Sequence, residues 1–177
     1  MEAPDEELML AYRDGNAGAF ETLYARHRGR LYRFVLRSVK NRATGEELFQ
    51  EIWLRVIEAR GRYTPQARFT TWLYTIAHNH LVDHWRKRGL TLVALEGDDT
   101  PGASPDPAEQ AAARQSLERF AAALQALPPL QREAFLLHEE GELSVAEIAA
   151  ATGTNEEAAK SRLRYAMAKL KAAMGDG

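Results

Sequence analysis

Three histidines stand close together in the stretch TWLYTIAHNHLVDHWRKR, residues 71–88, and histidine is the side chain here best suited to hold a metal. His80 and His84 are four residues apart, so a helix places them on one face in a geometry that zinc accepts. The same face carries Leu73 and Leu81, the chain has no cysteine, and no HExxH pattern occurs. We therefore predict interior histidines, and neither a metal site nor a cofactor.

No pattern typical of catalysis accompanies the histidines. The sequence shows no Ser-His-Asp order, no phosphate-cradling glycine loop and no paired carboxylates, and it offers no cysteine nucleophile. We therefore predict that the protein is not an enzyme.

The opposite face of the same stretch combines different chemistry. Trp72, Asn79, Asp83 and Arg86 fall on this arc, and a basic triplet, residues 86–88, follows at its end. Proteins that bind single-stranded nucleic acid stack bases on aromatic rings and follow the phosphates with Arg and Lys, while an Asn amide can bind base edges. The preceding loop, residues 62–70, adds Arg68 and two aromatic rings, which could form a pocket for an unstacked base.

The elements that position these residues are predicted to be almost entirely helical. Helical spacing of apolar residues runs over 17–40, and further helices follow at about 44–59, 71–88, 108–127, 130–140, 144–152 and 155–172. Capping boxes are predicted at Thr44–Glu47, Ser144–Glu147 and Thr154–Glu157, and Gly141 is predicted to cap the helix before it.

One segment interrupts this pattern. EGDDTPGASPDP, residues 96–107, has three prolines, two glycines and four acids, which is typical of a flexible linker. The prediction is an all-α chain of two small helical domains, residues 1–92 and 109–177, joined by a flexible acidic linker at 93–108.

Composition narrows the functional classes further. The 177 residues carry a net charge of −2, but basic and acidic residues are segregated along the chain, and the basic patches indicate contact with a polyanion. The absence of cysteine fits a reducing compartment. The acidic start MEAPDEELM does not resemble a signal peptide, and no apolar run reaches the ~18 residues that cross a bilayer. We expect a cytoplasmic protein without membrane insertion.

The C-terminal segment predicts a helix-turn-helix, with Gly153 at the turn. On the second helix, an inward stripe of Ala159, Leu163, Ala166 and Leu170 leaves a polar face outward. In a helix-turn-helix, Lys160, Ser161 and Arg164 on that face would meet base edges in the major groove, and Arg162 and Tyr165 would reach phosphates. The alternative is a solvated basic face on a simple helical hairpin.

The helix GEELFQEIWLRVIEA, residues 45–59, has an acidic outer strip that contains one apolar residue. Glu47, Glu51 and Glu58 surround Leu54 on this strip. A basic helical partner would fit such a face. From spacing alone, however, a solvated charged face with one exposed leucine is the more common explanation.

Three segments together resemble a known family. GEELFQEIWLRVIEA, RFTTWLYTIAHNHLVDHWRKR and LQALPPLQREAFLLHEEGELSVAEIAAATGTNEEAAKSRLRYAMAKL are similar to the conserved regions of bacterial RNA polymerase sigma factors. More narrowly, they resemble the extracytoplasmic function (ECF) subfamily of the sigma-70 family, which keeps only two domains. The match covers about residues 5–174 apart from the linker.

The resemblance implies a sigma factor that binds core RNA polymerase, directs it to promoter DNA and helps open that DNA. It implies that one surface of this chain docks on the clamp helices of the largest polymerase subunit and that a second surface contacts the beta flap. It also implies a separate anti-sigma factor as regulator. The core-binding residues it implies are Glu47, Leu48, Gln50, Glu51 and Leu54. The residues it implies for melting the minus-10 element and capturing a flipped base are Arg68, Trp72, Asn79, Asp83 and Arg86. Those it implies for the minus-35 duplex are Lys160, Ser161, Arg162, Arg164 and Tyr165.

The sequence departs from the family in its last helix. Tyr165 and Met167 stand where arginines are common, so we expect weaker phosphate binding and a weaker dependence on salt. Two alternatives stay open. One is a free-standing helix-turn-helix regulator that needs no polymerase, and the other is a metal hydrolase using His78, His80 and His84.

Overall fold

A computed structural model describes residues 2–90 and 113–175, which form eight α-helices and one short 3-10 turn, with no β-strand within those ranges. The first four helices are α1 Asp5–Arg13, α2 Ala17–Ser38, α3 Arg42–Ala59 and α4 Phe69–Lys87, with the 3-10 turn at Arg60–Arg62. The last four are α5 Ala113–Ala126, α6 Pro129–Glu139, α7 Val145–Thr152 and α8 Glu156–Ala173. The all-α prediction is confirmed. The predicted linker, residues 93–108, lies outside the described residues, so the domain boundaries stay a prediction.

The first four helices enclose an aromatic core. Leu23, Leu31, Phe34 and Val35 recur at helical spacing on α2 and are all buried, as the apolar pattern predicted. The ring of Phe34 meets Tyr74 of α4 edge-on, with centroids 5.3 Å apart. This packing holds α4 firmly, so its outward residues keep a fixed direction.

Two helix starts differ from the sequence prediction. α3 begins at Arg42 rather than near Thr44, because the side chain of Asn41 accepts the Thr44 backbone N–H at 3.2 Å. α8 is capped by Asn155, which accepts from the Ala158 N–H at 2.7 Å, rather than by Thr154. Asn is at least as good an N-cap residue as Thr, so an Asn takes the N-cap position in both helices.

The C-terminal helices form the predicted helix-turn-helix. The capping box of Ser144 and Glu147 is present in both directions, and Gly153 adopts φ 68°, which closes α7 in the left-handed region. Gly141 does not have the predicted capping role. The cap residue is Glu140, and the left-handed residue of this turn is Glu142 at φ 56°.

Gly141 is instead required by close approach. An added Cβ would stand 2.7 Å from the Leu137 carbonyl oxygen and 3.4 Å from the Tyr74 ring of α4. The α6–α7 turn therefore packs directly on the first four helices.

The two groups of helices pack together through polar side chains. α4 lies against α7, and α2 lies against α6 and α5. Arg132 of α6 is 4% exposed and donates to the carbonyl oxygens of Ser38 on α2 (3.0 Å) and Leu127 (3.3 Å). Burial lowers the pKa of Arg132 to about 10, so the guanidinium is charged near neutral pH and bound to carbonyl groups from both halves.

Candidate nucleic-acid interface

Asn79 borders a hollow between α3 and α4. The hollow has a volume of about 240 Å³ and is lined by Arg55, Glu58, Ala59, Arg62, Ile76 and Asn79. Asn79 is exposed, and Arg62 comes from the 3-10 turn that follows α3. The site therefore combines an amide, two guanidinium groups, one carboxylate and an apolar side chain, which can bind both the edge and the face of a planar polar ligand.

Trp72 does not line this hollow. Its ring packs edge-on against Tyr63 at 5.1 Å and lies 6.0 Å from Phe69, and it is half-buried. Trp72 therefore packs against the loop before α4, and its place on one DNA-binding surface with Asn79 stays a prediction.

α1 holds this loop in place, and the sequence did not reveal that role. A carboxylate oxygen of Glu6 accepts the Phe69 backbone N–H at 2.6 Å, at the start of α4. The guanidinium of Arg13 donates to the Tyr63 carbonyl at 3.3 Å. The Glu6 carboxylate at the N-terminus of α4 also interacts favourably with the helix dipole.

The remaining predicted minus-10 residues have different surroundings. Asp83 lies 3.9 Å from the guanidinium of Arg55, so its carboxylate faces a side chain that lines the hollow. Arg86 is exposed at the end of α4. Arg68 is also largely exposed, but its guanidinium lies 3.3 Å from Glu147 of α7.

Two of the three histidines bind separate acids. Nδ1 of His78 lies 2.7 Å from Glu133 of α6, and Nε2 of His80 lies 2.5 Å from Glu51 of α3. Burial lowers the pKa of His84, and the neighbouring Arg88 acts in the same direction. Across residues 2–90 and 113–175 no three His, Asp or Glu side chains gather as a metal would require.

The acidic strip of α3 has the predicted orientation in most respects. Leu54 is 57% exposed, and Glu47 and Gln50 are also exposed. Glu51 is half-buried because it binds His80. Leu48 is 6% exposed and packs in the core, so it supports this face from beneath instead of forming part of it.

α8 presents a basic outer face. The predicted inward stripe of Ala159, Leu163, Ala166 and Leu170 is buried. Lys160 and Arg164 are exposed, whereas Ser161, Arg162 and Tyr165 are half-buried. The Arg164 guanidinium lies 5.3 Å from the Tyr165 ring centroid, within the range of a cation–π contact.

Comparison with known families matches both halves of the chain. Sigma-70 region 2 matches residues 23–91, and sigma-70 region 4 matches residues 117–170. The RNA polymerase sigma factor CarQ of Myxococcus xanthus is 38% identical over 171 residues, which is 95% of this chain and 96% of the relative. The ECF sigma factor SigK of Mycobacterium sp. (strain KMS) is 30% identical over 95% of this chain and 89% of its own.

The chain belongs to the ECF sigma factors. It is therefore a transcription initiation factor that directs RNA polymerase to promoters, as the sequence predicted. The solved structure of CnrH in complex with the cytosolic domain of CnrY is similar over 97% of both chains, with a TM-score of 0.73 and 26% identity. RpoE of Bartonella quintana, solved with NepR, shares the fold at 23% identity and a TM-score of 0.69.

The two matched regions of the sigma factor can be compared with its helices. The region 2 match begins within α2 and includes α3 and α4, and the region 4 match covers most of α5 to α8. α1 precedes the match, although its side chains hold the loop before α4. None of the helices in the described part of the chain is long and apolar enough to cross a bilayer.

Sequence reasoning missed most of the residues around Asn79. The sequence predicts Glu58 on the acidic strip of α3, and it does not mark Ile76 as a site residue. Ile76 is three residues before Asn79, so helical spacing alone could have placed it beside the amide. Arg55 and Arg62 come close only through the crossing of α3 and α4, for which the sequence gives no signal.

Proposed function

We propose that the hollow beside Asn79 receives an unstacked base of the minus-10 element while the sigma factor opens its promoter. The observation that carries this proposal is the joint presence of an amide, two cations and an apolar wall in one hollow on region 2. Extruding a base costs a few kcal/mol, and hydrogen bonds and stacking in a protein pocket offset that cost.

Each residue has a distinct part in this proposal. The Asn79 amide donates to and accepts from the base edge, and Arg55 and Arg62 offset the charge of the approaching phosphates. Asp83 orients Arg55, and Arg86 and Arg68 bind the backbone. Trp72 keeps the loop in the shape that closes the hollow.

α8 reads the minus-35 element as duplex. Lys160 and Arg164 are exposed on the face opposite the buried stripe, where they can donate to guanine O6 and N7. Ser161, Arg162 and Tyr165 contact the flanking backbone. Tyr165 and Met167 carry no charge. The DNA affinity of α8 therefore depends less on salt than that of a helix with two arginines at these positions.

The exposed strip of α3 docks on the clamp helices of core polymerase. Leu54 provides an apolar contact in the centre, and Glu47, Gln50 and Glu51 surround it. The C-terminal domain makes the second contact, with the beta flap. An acidic rim around an apolar residue fits a basic partner helix.

The protein performs no catalysis of its own and acts in the cytoplasm, where it meets polymerase. It is held inactive by an anti-sigma factor. The similarity over the whole chain to CnrH, solved with CnrY, supports this partner.

The proposal is tested by Asn79→Ala in transcription with core polymerase on a promoter selected by run-off. We expect normal core binding in native gels and a loss of permanganate-reactive thymines near the start site. Glu21→Ala is the control, because it truncates an exposed side chain of α2 that does not line the hollow. Equal opening by Asn79→Ala and the control would refute the base site. Specific duplex binding by the isolated chain, without any need for polymerase, would favour the helix-turn-helix regulator.

A further inference from the structure

The packed arrangement of the two halves is too small to read both promoter elements at once. A compact chain of 177 residues has a radius of gyration of about 16 Å and therefore a diameter of about 40 Å. Elements centred about 25 base pairs apart lie about 85 Å apart along the duplex. Residues 91–112 reach about 75 Å when extended, so the chain can span the two elements only if the halves separate. This step rests on the proposed function.

One group of contacts between the halves joins acids of the C-terminal half to arginines of α2. Arg33 lies 2.9 Å from Glu140, Arg37 binds the other oxygen of the same carboxylate, and Arg30 lies 2.6 Å from Glu142. The Glu140 side chain is 11% exposed, whereas the three arginine side chains are about half exposed. Each acid comes from the turn that joins α6 to α7, so one short segment occupies the whole row of cations.

The row continues toward the minus-10 residues. Arg30, Arg33 and Arg37 lie at positions i, i+3 and i+7 and therefore share one face of α2. Glu147, which follows the same turn, reaches Arg68 and the Thr71 hydroxyl at 3.3 Å each. The acids of the α6–α7 segment thus cover the α2 row and one proposed DNA contact together.

We propose that Arg30, Arg33 and Arg37 form a further binding site for the phosphates of single-stranded promoter DNA, which Glu140 and Glu142 mask until the halves separate. Guanidinium groups bind carboxylate and phosphate oxygens with the same fork geometry, so a carboxylate row can occupy a phosphate site. The continuity of the row with Arg68 favours DNA over an acidic protein surface. The masking acids compete with DNA for the same donors.

The test measures how tightly the full chain binds a fluorescein-labelled single-stranded oligonucleotide of mixed sequence, by anisotropy. Glu140→Gln frees two arginines, so we expect about threefold to tenfold tighter binding, with a salt slope steeper by about 1.4 for two new contacts. Glu139→Gln is the matched control, because it changes net charge equally at an exposed neighbouring position. Glu142→Gln should give a smaller gain through Arg30.

Opening of the halves is followed in parallel by energy transfer. The chain has no cysteine, so Glu21→Cys and Lys171→Cys provide two unique label positions, both at exposed sites. We expect lower transfer in Glu140→Gln than in Glu139→Gln. Arg33→Ala with Arg37→Ala should also lower transfer, and adding Glu140→Gln to this pair should bring no gain in DNA binding.

The outcomes separate the inference from the proposed function. Lower transfer without tighter DNA binding overturns the phosphate site, and equal transfer and binding in Glu140→Gln and Glu139→Gln overturn the mask. A loss of core affinity in Arg33→Ala with Arg37→Ala, at unchanged DNA binding, would make the row a protein contact and also overturn the site. In each of these cases run-off transcription by the unmodified chain continues, whereas its absence would contradict the proposed function itself.

Discussion

The Nδ1 atom of His78 lies 2.7 Å from Oε2 of Glu133, and this pair joins α4 of region 2 to α6 of region 4. Glu133 is 1% exposed and His78 is 9% exposed. The helix proposed to open the promoter is therefore tied to the helix-turn-helix domain by a polar contact shielded from water. Removing one partner of such a buried pair costs free energy, because the other group stays buried without its partner.

Glu133→Ala should destabilise the packed form, because it leaves the buried imidazole without its acceptor. We expect the free energy of unfolding to fall by about 1–3 kcal/mol in urea titrations at neutral pH. Glu133→Gln keeps an oxygen that accepts a hydrogen bond, so its loss should be smaller. Equal losses in both variants would show that packing, rather than the hydrogen bond, makes the contribution. Glu139→Ala, exposed on the same helix, serves as the control.

Trp72→Ala and Asn79→Ala should differ in stability although both impair promoter opening. Trp72 packs on Tyr63 and Phe69, so its removal should cost about 1–3 kcal/mol of unfolding free energy. Asn79 is exposed, and its removal should leave stability within about 0.5 kcal/mol of the parent chain. Thermal unfolding measures the stability of each variant, and permanganate footprinting measures its promoter opening. Identical thermal unfolding of the parent chain, Trp72→Ala and Asn79→Ala would contradict the packing role of Trp72.

Arg164→Ala should weaken discrimination at one base pair of the minus-35 element, by about 1–3 kcal/mol. The measurement compares binding of holoenzyme to promoter variants substituted one position at a time. A uniform loss across all variants would make Arg164 a phosphate contact. Tyr165→Leu is a useful companion, because it removes the ring 5.3 Å from the guanidinium while retaining an apolar side chain.

His27 should make the protein less stable in mild acid. Burial lowers its pKa below the ordinary 6.5, and this effect outweighs Asp5, whose carboxylate lies 2.9 Å from Nε2 and acts in the opposite direction. The folded chain therefore binds this proton less readily than the unfolded chain. The stabilisation that results from this difference in pKa is fully present above about pH 6.5. It is lost as the pH falls through the pKa of His27 in the folded chain. In urea titrations between neutral pH and about pH 5, His27→Gln should lose less stability than the parent; an equal or greater loss would contradict this assignment.

The sequence was sufficient where a pattern is local. The inward stripe of α8, the Ser144–Glu147 capping box and the turn at Gly153 depend on residues a few positions apart, and all three are present. The wrong helix starts involve a choice between Asn and Thr within three positions, and these cap residues differ by a few tenths of a kcal/mol. α1 was missed because its function is tertiary. Glu6 and Arg13 act on residues that are 63 and 50 positions away in the chain.

The candidate site required information that one sequence does not contain. Asn79 could be placed on the outer face of α4 from spacing alone, but the hollow beside it depends on how α3 crosses α4. The row of arginines on α2 was visible as a basic patch. Its partners Glu140 and Glu142 are more than 100 positions away in the chain, so only the packed fold shows that they bind it.

Run-off transcription tests the central claim most directly. Purified core polymerase is mixed with genomic fragments, with and without this chain, and transcript ends are mapped. A promoter-directing sigma factor should produce discrete transcripts only when the chain is present, from start sites that share two upstream sequence elements. The absence of any chain-dependent transcript with active core polymerase, together with specific duplex binding by the chain alone, would contradict the account.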